Sequence, residues 1–140
     1  MEYNYEQFKQ DLNNPNFPHI KNKEHFKNFY EQLANHPDQE TQIYSLNRMD
    51  FIMPREKIVE LGCHWGFDLI HWARQGFECV GVDLSKNLLE IGKSKIALEP
   101  LEVQQKIKLV NSFIEDFIPE EKYNTVVLTE VLEHVIDPLP

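Results

Sequence analysis

The stretch VELGCHWGFDLIHWARQGFECVGVDLS, Val59 to Ser85, constrains the fold more than any other part of the chain. An apolar run over 57–61 stops at Gly62, and a second over 77–83 ends in an acid, Asp83. Between them Phe67, Ile70 and Ala73 fall in helical register over 67–75. Strand, glycine turn, helix, strand is a βαβ unit, and two strands joined in this way lie parallel. In open sheets of this kind, ligands bind at the carboxyl ends of the strands. Gly62 and Asp83 therefore mark the first place to look for a site.

The rest of the chain extends the same alternation. Ser85 can cap a helix carrying Leu88, Leu89, Ile91 and Ile96, in which Gly92 costs about 1 kcal/mol relative to alanine. KIKLVN (106–111) and YNTVVLTEVL (123–132) read as a third and a fourth strand. Upstream, Phe26, Phe29, Tyr30 and Leu33 form an amphipathic stripe that Pro37 ends. Asp38 can cap a second helix with Ile43, Leu46, Met49 and Met53, closed by Pro54. Residues 1–20 read as a short helix or a loosely held arm. The division expected is a helical cap or arm over 1–53 and a ligand-binding α/β unit over 54–140.

The turn after the first strand has the spacing of a dinucleotide site but not its chemistry. In that site the second glycine admits the pyrophosphate and the third lets helix and strand approach closely. Here those positions hold His64 and Phe67. Glu60, two residues before Gly62, would also repel a diphosphate. A cationic ligand reverses that sign. S-adenosylmethionine carries a sulfonium and an ammonium and no phosphate. Glu60 suits its positive end, Gly62 and Gly66 keep the loop thin beside its amino-acid portion, and Asp83 can accept from both ribose hydroxyls.

Composition narrows the class further. The net charge of −9 argues against a broad nucleic-acid surface, which is usually basic. The N-terminus lacks the basic start and apolar run of a secretory signal, and no apolar stretch has the length of a membrane span. Cys63 and Cys79 form neither a disulfide framework nor a zinc pair, so a reduced, cytoplasmic setting is expected.

Three stretches together resemble the class I, Rossmann-like S-adenosylmethionine-dependent methyltransferases, over roughly residues 56–138. VELGCHWG is similar to the family's first motif, with His64 as the departure. VGVDLSKNLLEIGK resembles its second-strand motif, and LTEVLEHVIDP the signature after its fourth strand in small-molecule methyltransferases. The resemblance implies a doubly wound parallel sheet of which this chain carries the first four strands, in the order 3-2-1-4. It implies S-adenosylmethionine as cofactor and S-adenosylhomocysteine as product. Cofactor contacts are expected from Glu60, Gly62, Cys63, His64 and Gly66, from Asp83 with Leu84 beside the adenine, from Ser112, Phe113 and Ile114 at the third strand's end, and from Thr129 and Glu130 after the fourth. The family often has an acid at the Ser112 or Phe113 position, and Glu115 or Asp116 could substitute for it. The methyl group would pass to a small-molecule acceptor by in-line displacement, with His134 the candidate base.

Two further readings compete. A non-catalytic binding module would keep the fold, with His64 and the absent adenine acid in its favour. Glu130, Glu133 and His134 resemble the metal-binding stretch of small-RNA 3′-terminal 2′-O-methyltransferases, but the acidic charge disfavours RNA and no metal site is expected. NADH binding tighter than S-adenosylhomocysteine would support a third reading, a dehydrogenase. Since the family fold has three later strands, the chain is expected to be the cofactor-binding portion of a larger unit, or to cover its fourth-strand edge by self-association. Catalysis by the chain alone is accordingly doubtful.

Overall fold

The computed structural model describes residues 54–129 continuously, and in addition Asn4, Glu6, Gln7, Gln10, Glu24, His25, Lys27, Asn28, Glu31, Val131, Leu132 and Val135. Strand β1 (Lys57–Leu61) leads through the glycine turn into helix α1 (Phe67–Arg74), then β2 (Glu78–Asp83) and helix α2 (Lys86–Ile96). A short helix α3 (Leu101–Gln104) precedes β3 (Ile107–Asn111), and a single 3₁₀ turn (Ile114–Asp116) separates β3 from β4 (Thr125–Leu128). All strand pairs are parallel, in the order β3-β2-β1-β4. The order matches the one expected. The fourth strand is shorter than its apolar run, because only Thr125–Leu128 finds ladder partners, on Ile58–Leu61.

Helix α1 stops where Gly76 takes φ 100° and its amide turns back to the Ala73 carbonyl at 3.0 Å, the left-handed ending that glycine permits. Its inner face puts Leu69, Trp72 and Ala73 against Ile58, Cys79, Leu89, Val103 and Val127 to form the core. Trp72 is 1% exposed, so a fully sequestered indole anchors the helix to the sheet. Val103, buried at 6%, explains why the chain spends a four-residue helix behind Pro100 before re-entering the sheet.

Two glycines inside regular elements are contact points. A Cβ on Gly81, midway along β2, would overlap the Leu69 side chain and lie 2.7 Å from Cys63 Sγ, so the turn residue Cys63 sits in the notch that Gly81 leaves. A Cβ on Gly92 would meet the backbone carbonyl of Trp65. Helix α2 therefore rests on the turn through the residue that propensity counts as its weak point.

The described residues Glu24, His25, Lys27, Asn28 and Glu31 are helical, within the stretch read as the first upstream helix. The second upstream helix, with Pro37, Asp38, Ile43, Leu46, Met49 and Met53, lies outside the described residues, as do Glu130, Glu133 and His134. Among the described residues, no helix is long and apolar enough to cross a membrane.

Candidate functional site

The turn after β1 alternates through three left-handed residues, Gly62 (φ 81°), His64 (φ 58°) and Gly66 (φ 88°). The amides of Gly62 and Cys63 both donate to the Val82 carbonyl, at 2.7 and 3.0 Å, which folds the turn over the end of β2. His64 thus departs from the glycine pattern in residue type while keeping a glycine's backbone. A left-handed non-glycine residue costs about 1–2 kcal/mol. The His64 amide offsets this by donating to Asp83 Oδ2 at 2.8 Å, a hydrogen bond of the kind that contributes about 0.5–1.5 kcal/mol. Its ring is largely buried rather than facing solvent, and burial lowers its pKa to about 4, so it is neutral at pH 7 and carries no positive charge to a ligand.

Trp65, next in the turn, packs on α2. Lys95 Nζ lies 4.7 Å from its ring centroid, and the Phe67 ring meets it edge-on at 5.4 Å.

Asp83 closes β2 with 2% exposure. Oδ2 accepts from the His64 amide and Oδ1 from the Ser85 amide at 2.9 Å. Burial pushes its pKa up to about 7, with the nearby Glu31 carboxylate adding to the rise and the backbone amides opposing it. Glu60 on β1 and Asp68 in the first turn of α1 are each 4% exposed. Cys63 registers all three acids: burial first, then the Asp83, Glu60 and Asp68 charges, raise its thiol pKa well above the usual range, so it is a neutral filler. Three buried carboxylates around one turn form a place for positive charge and for hydroxyl donors, and they disfavour a phosphate.

The other sequence-predicted residues fall at the same edge of the sheet, less tightly held. The Ser112 amide donates to the Asp83 carbonyl at 3.1 Å, and the Ser112 hydroxyl donates to the Phe113 carbonyl at 2.7 Å. Phe113 and Ile114 are half-buried at the start of the 3₁₀ turn, and Leu84 is half-buried beside Asp83. The Thr129 hydroxyl, just past β4, is buried with no hydrogen-bond partner among the described residues. Val131 packs against Gly62 so closely that a Cβ there would lie 2.5 Å from its Cγ2, bringing the end of β4 to the turn. Among the described residues, no group of three potential ligands could hold a metal ion.

Three residues at the site were not anticipated. Asn111 Nδ2 donates to the carbonyls of Asp83 and Leu84, both at 3.1 Å, tying the end of β3 to that of β2. Its place as the last residue of the KIKLVN run was the available signal. Asp68 had the signal of an acid two residues past a glycine turn, in a helix's first turn. Glu31 had none, since its side-chain hydrogen bonds among the described residues are with residues 54 to 56 positions away.

Comparison with known proteins places this architecture. The sequence profile of a methyltransferase-domain family matches residues 34–140, and the chain belongs to that family. It is 32% identical over 100 residues to a ubiquinone biosynthesis O-methyltransferase of Vibrio vulnificus, a match covering 66% of this chain and 41% of the relative. The chain thus spans about two fifths of the length of such curated relatives. Among solved structures, the methyltransferase domain of the bacterial protein CtHen1 superposes with a TM-score of 0.51 at 27% identity, covering 73% of this chain and 53% of that one. An S-adenosylmethionine-dependent methyltransferase from Geobacter sulfurreducens, solved with S-adenosylhomocysteine, shares the fold at 19% identity and a TM-score of 0.51, over 63% of this chain and 35% of its own.

Proposed function

We propose that residues 54–140 bind S-adenosylmethionine at the carboxyl ends of β1 and β2 and serve methyl transfer to a small-molecule acceptor. The observation that carries this reading is the burial of Glu60, Asp68 and Asp83 around a left-handed turn. That set of acceptors fits a sulfonium, an ammonium and a ribose diol. When bound, the coenzyme supplies an activated methyl group on a good leaving group, so the protein's task is proximity and orientation.

In this reading Asp83 accepts from the ribose hydroxyls, while the His64 and Ser85 amides hold its two oxygens in place. Glu60 faces the cationic end. Gly62, Cys63 and Gly66 keep the backbone thin beside the amino-acid portion, and the Thr129 hydroxyl with Glu130 completes that side. Leu84, Ser112, Phe113 and Ile114 border the adenine, Ser112 through its backbone because its hydroxyl is engaged with the Phe113 carbonyl. His134 is the candidate base for an oxygen nucleophile. The relatives named as ubiquinone biosynthesis O-methyltransferases support an aromatic or quinone-like acceptor attacked at oxygen. The free, buried Cys63 and Cys79 fit a reducing, cytoplasmic setting. β4 is an outer strand of the described sheet, paired only with β1, which makes its other edge the place where a further strand or a second copy would pair.

Titration calorimetry with S-adenosylhomocysteine tests the reading. The wild-type chain should bind, and Asp83→Ala should weaken binding at least about tenfold, the equivalent of one lost hydrogen bond to a charged group. Wild-type chain that gives no heat with millimolar ligand, or an Asp83→Ala variant of unchanged affinity, would refute it.

A further inference from the structure

Asn111 closes β3 in register with Asp83, the last residue of β2. Register partners on adjacent parallel strands project from the same face of a sheet, so the two side chains are neighbours at its carboxyl edge. Asp83 is buried there, and Asn111 is exposed. The Asn111 Nδ2 donates to the main-chain carbonyls of Asp83 and Leu84, both at 3.1 Å. These two partners decide how the carboxamide lies. A carbonyl oxygen can only accept, so the amide nitrogen has to face the end of β2, and the amide oxygen faces the other way. The two bonds use both amide hydrogens. Oδ1 accepts from none of the described residues. Asn111 thus holds out, in a fixed orientation, a group that accepts and cannot donate.

Two main-chain acceptors of the same corner are already full. The Asp83 carbonyl takes the Ser112 amide at 3.1 Å in addition to the Asn111 side chain. The Phe113 carbonyl takes the Ser112 hydroxyl at 2.7 Å and the Asp116 amide at 3.2 Å. A carbonyl oxygen has two lone pairs, and each of these has two donors. The side chain of Phe113 is hydrocarbon, so it brings no acceptor of its own.

The order of the strands leads to the same oxygen. With a ribose on Asp83 and the amino-acid portion along the glycine turn of β1, the base extends from β2 toward β3. Adenine has one exocyclic donor, the 6-amino group. A purine with an oxo group at that position would set oxygen against oxygen. We infer that Asn111 Oδ1 accepts from the 6-amino group of the coenzyme's adenine, which makes Asn111 the residue that distinguishes an adenosyl ligand from other purine nucleosides. The inference rests on the methyl-donor reading and deepens it. The fork to Asp83 and Leu84 orients the oxygen before the ligand arrives, so little freedom is lost on binding.

Calorimetry compares S-adenosylhomocysteine with its 6-deamino analogue, in which hydrogen replaces the amino group, on wild type, Asn111→Ala and Asn111→Ser. Wild type should bind the amino form about fivefold tighter, the factor of one neutral hydrogen bond. Asn111→Ala should bind the two ligands within about twofold of each other. Asn111→Ser, whose hydroxyl can still donate to one carbonyl but is too short to reach the base, should lose the preference as well and serves where alanine unfolds the chain. The ratio is the readout: a residue that only braced Leu84 would weaken both ligands alike and leave their ratio at about five. Wild type that binds both ligands equally overturns the inference and leaves the methyl-donor reading standing. A preference that survives the substitutions overturns it too, and hands the amino group to another acceptor such as Glu115 or Asp116. Wild type that binds neither ligand removes the methyl-donor reading and the inference with it.

Discussion

The turns that follow β1 and β3 lie at the same edge of one sheet and are built on opposite principles. The first, over 62–66, depends on side chains that are missing or charged. Gly62 leaves room for Val131, Gly81 for Cys63 and Gly92 for the Trp65 carbonyl, and three buried acids surround the result. The second, over 112–117, depends on backbone. Ser112 reaches Asp83 through its amide, and its hydroxyl goes no further than the next carbonyl. A surface that must select charge needs particular residues at particular positions. A surface that offers only main-chain groups tolerates many sequences.

The largest expected effect tests whether the charge of the first turn is buried as described. Asp83, ordinarily at 3.8, titrates at about 7 in the folded chain. From about pH 4 to 7 the unfolded chain has released this proton and the folded chain has not, so stability falls as pH rises, by up to about 1.4 kcal/mol per unit. His64 moves the other way, from 6.5 to about 4. Below pH 6.5 the unfolded chain gains a proton that the folded chain refuses until about 4, so stability falls as pH drops. Over about pH 4–6.5 the two slopes oppose and largely cancel. Urea unfolding across this range should separate them. Asp83→Asn should leave stability rising with pH up to about 6.5, and His64→Asn, whose new side chain tolerates the left-handed backbone, should leave it falling up to about 7. Each variant should change by up to roughly 3 kcal/mol across the window, in opposite directions, so the two should diverge by up to about 7 kcal/mol. Parallel profiles would mean that the two groups are not buried together, and the contrast between the turns would lose its electrostatic half.

Next in size is the steric half of the contrast. Valine favours strands over glycine, so propensity alone has Gly81→Val stabilising β2. The structure reverses the sign, because a Cβ there meets Leu69 and Cys63. Overpacking of this kind should cost about 2 kcal/mol of stability, read from urea unfolding. A neutral or stabilised variant would show that Cys63 is not lodged in β2.

What the sequence discloses follows the same division. The parallel sheet and the acids at the ends of β1 and β2 were legible in the residues, because buried parallel strands must be apolar runs and a charged site must interrupt them; the order β3-β2-β1-β4 came only with the family resemblance. Gly92 was legible only as a defect, since its partner is a backbone carbonyl from another element. Helix α3 is too short to show a period. The stretch 123–132 reads as a strand running into a turn, and the ladder to β1 shows where one becomes the other, at Leu128. Asn111 and Glu31 were missed because their contacts are long-range hydrogen bonds, to which no local spacing corresponds. Glu130 and His134 remain sequence readings, outside the described residues.

The smallest expected effect falls on the second turn, and its smallness carries the argument. Ser112 or Phe113 stands where the family resemblance expects an adenine acid, and a side-chain role for Ser112 would make Ser112→Ala costly for the coenzyme. In the structure the hydroxyl donates to the Phe113 carbonyl, a neighbour's group that water can serve equally well at this half-exposed position. The amide that ties the turn to Asp83 survives the substitution. Ser112→Ala should therefore shift both the affinity for S-adenosylhomocysteine and the unfolding midpoint by less than about 0.5 kcal/mol, the range of an ordinary surface change. Calorimetry and urea unfolding on the same preparation read both. A loss of about tenfold in affinity, or 1.4 kcal/mol, would make Ser112 a side-chain contact and erase the distinction between the two turns.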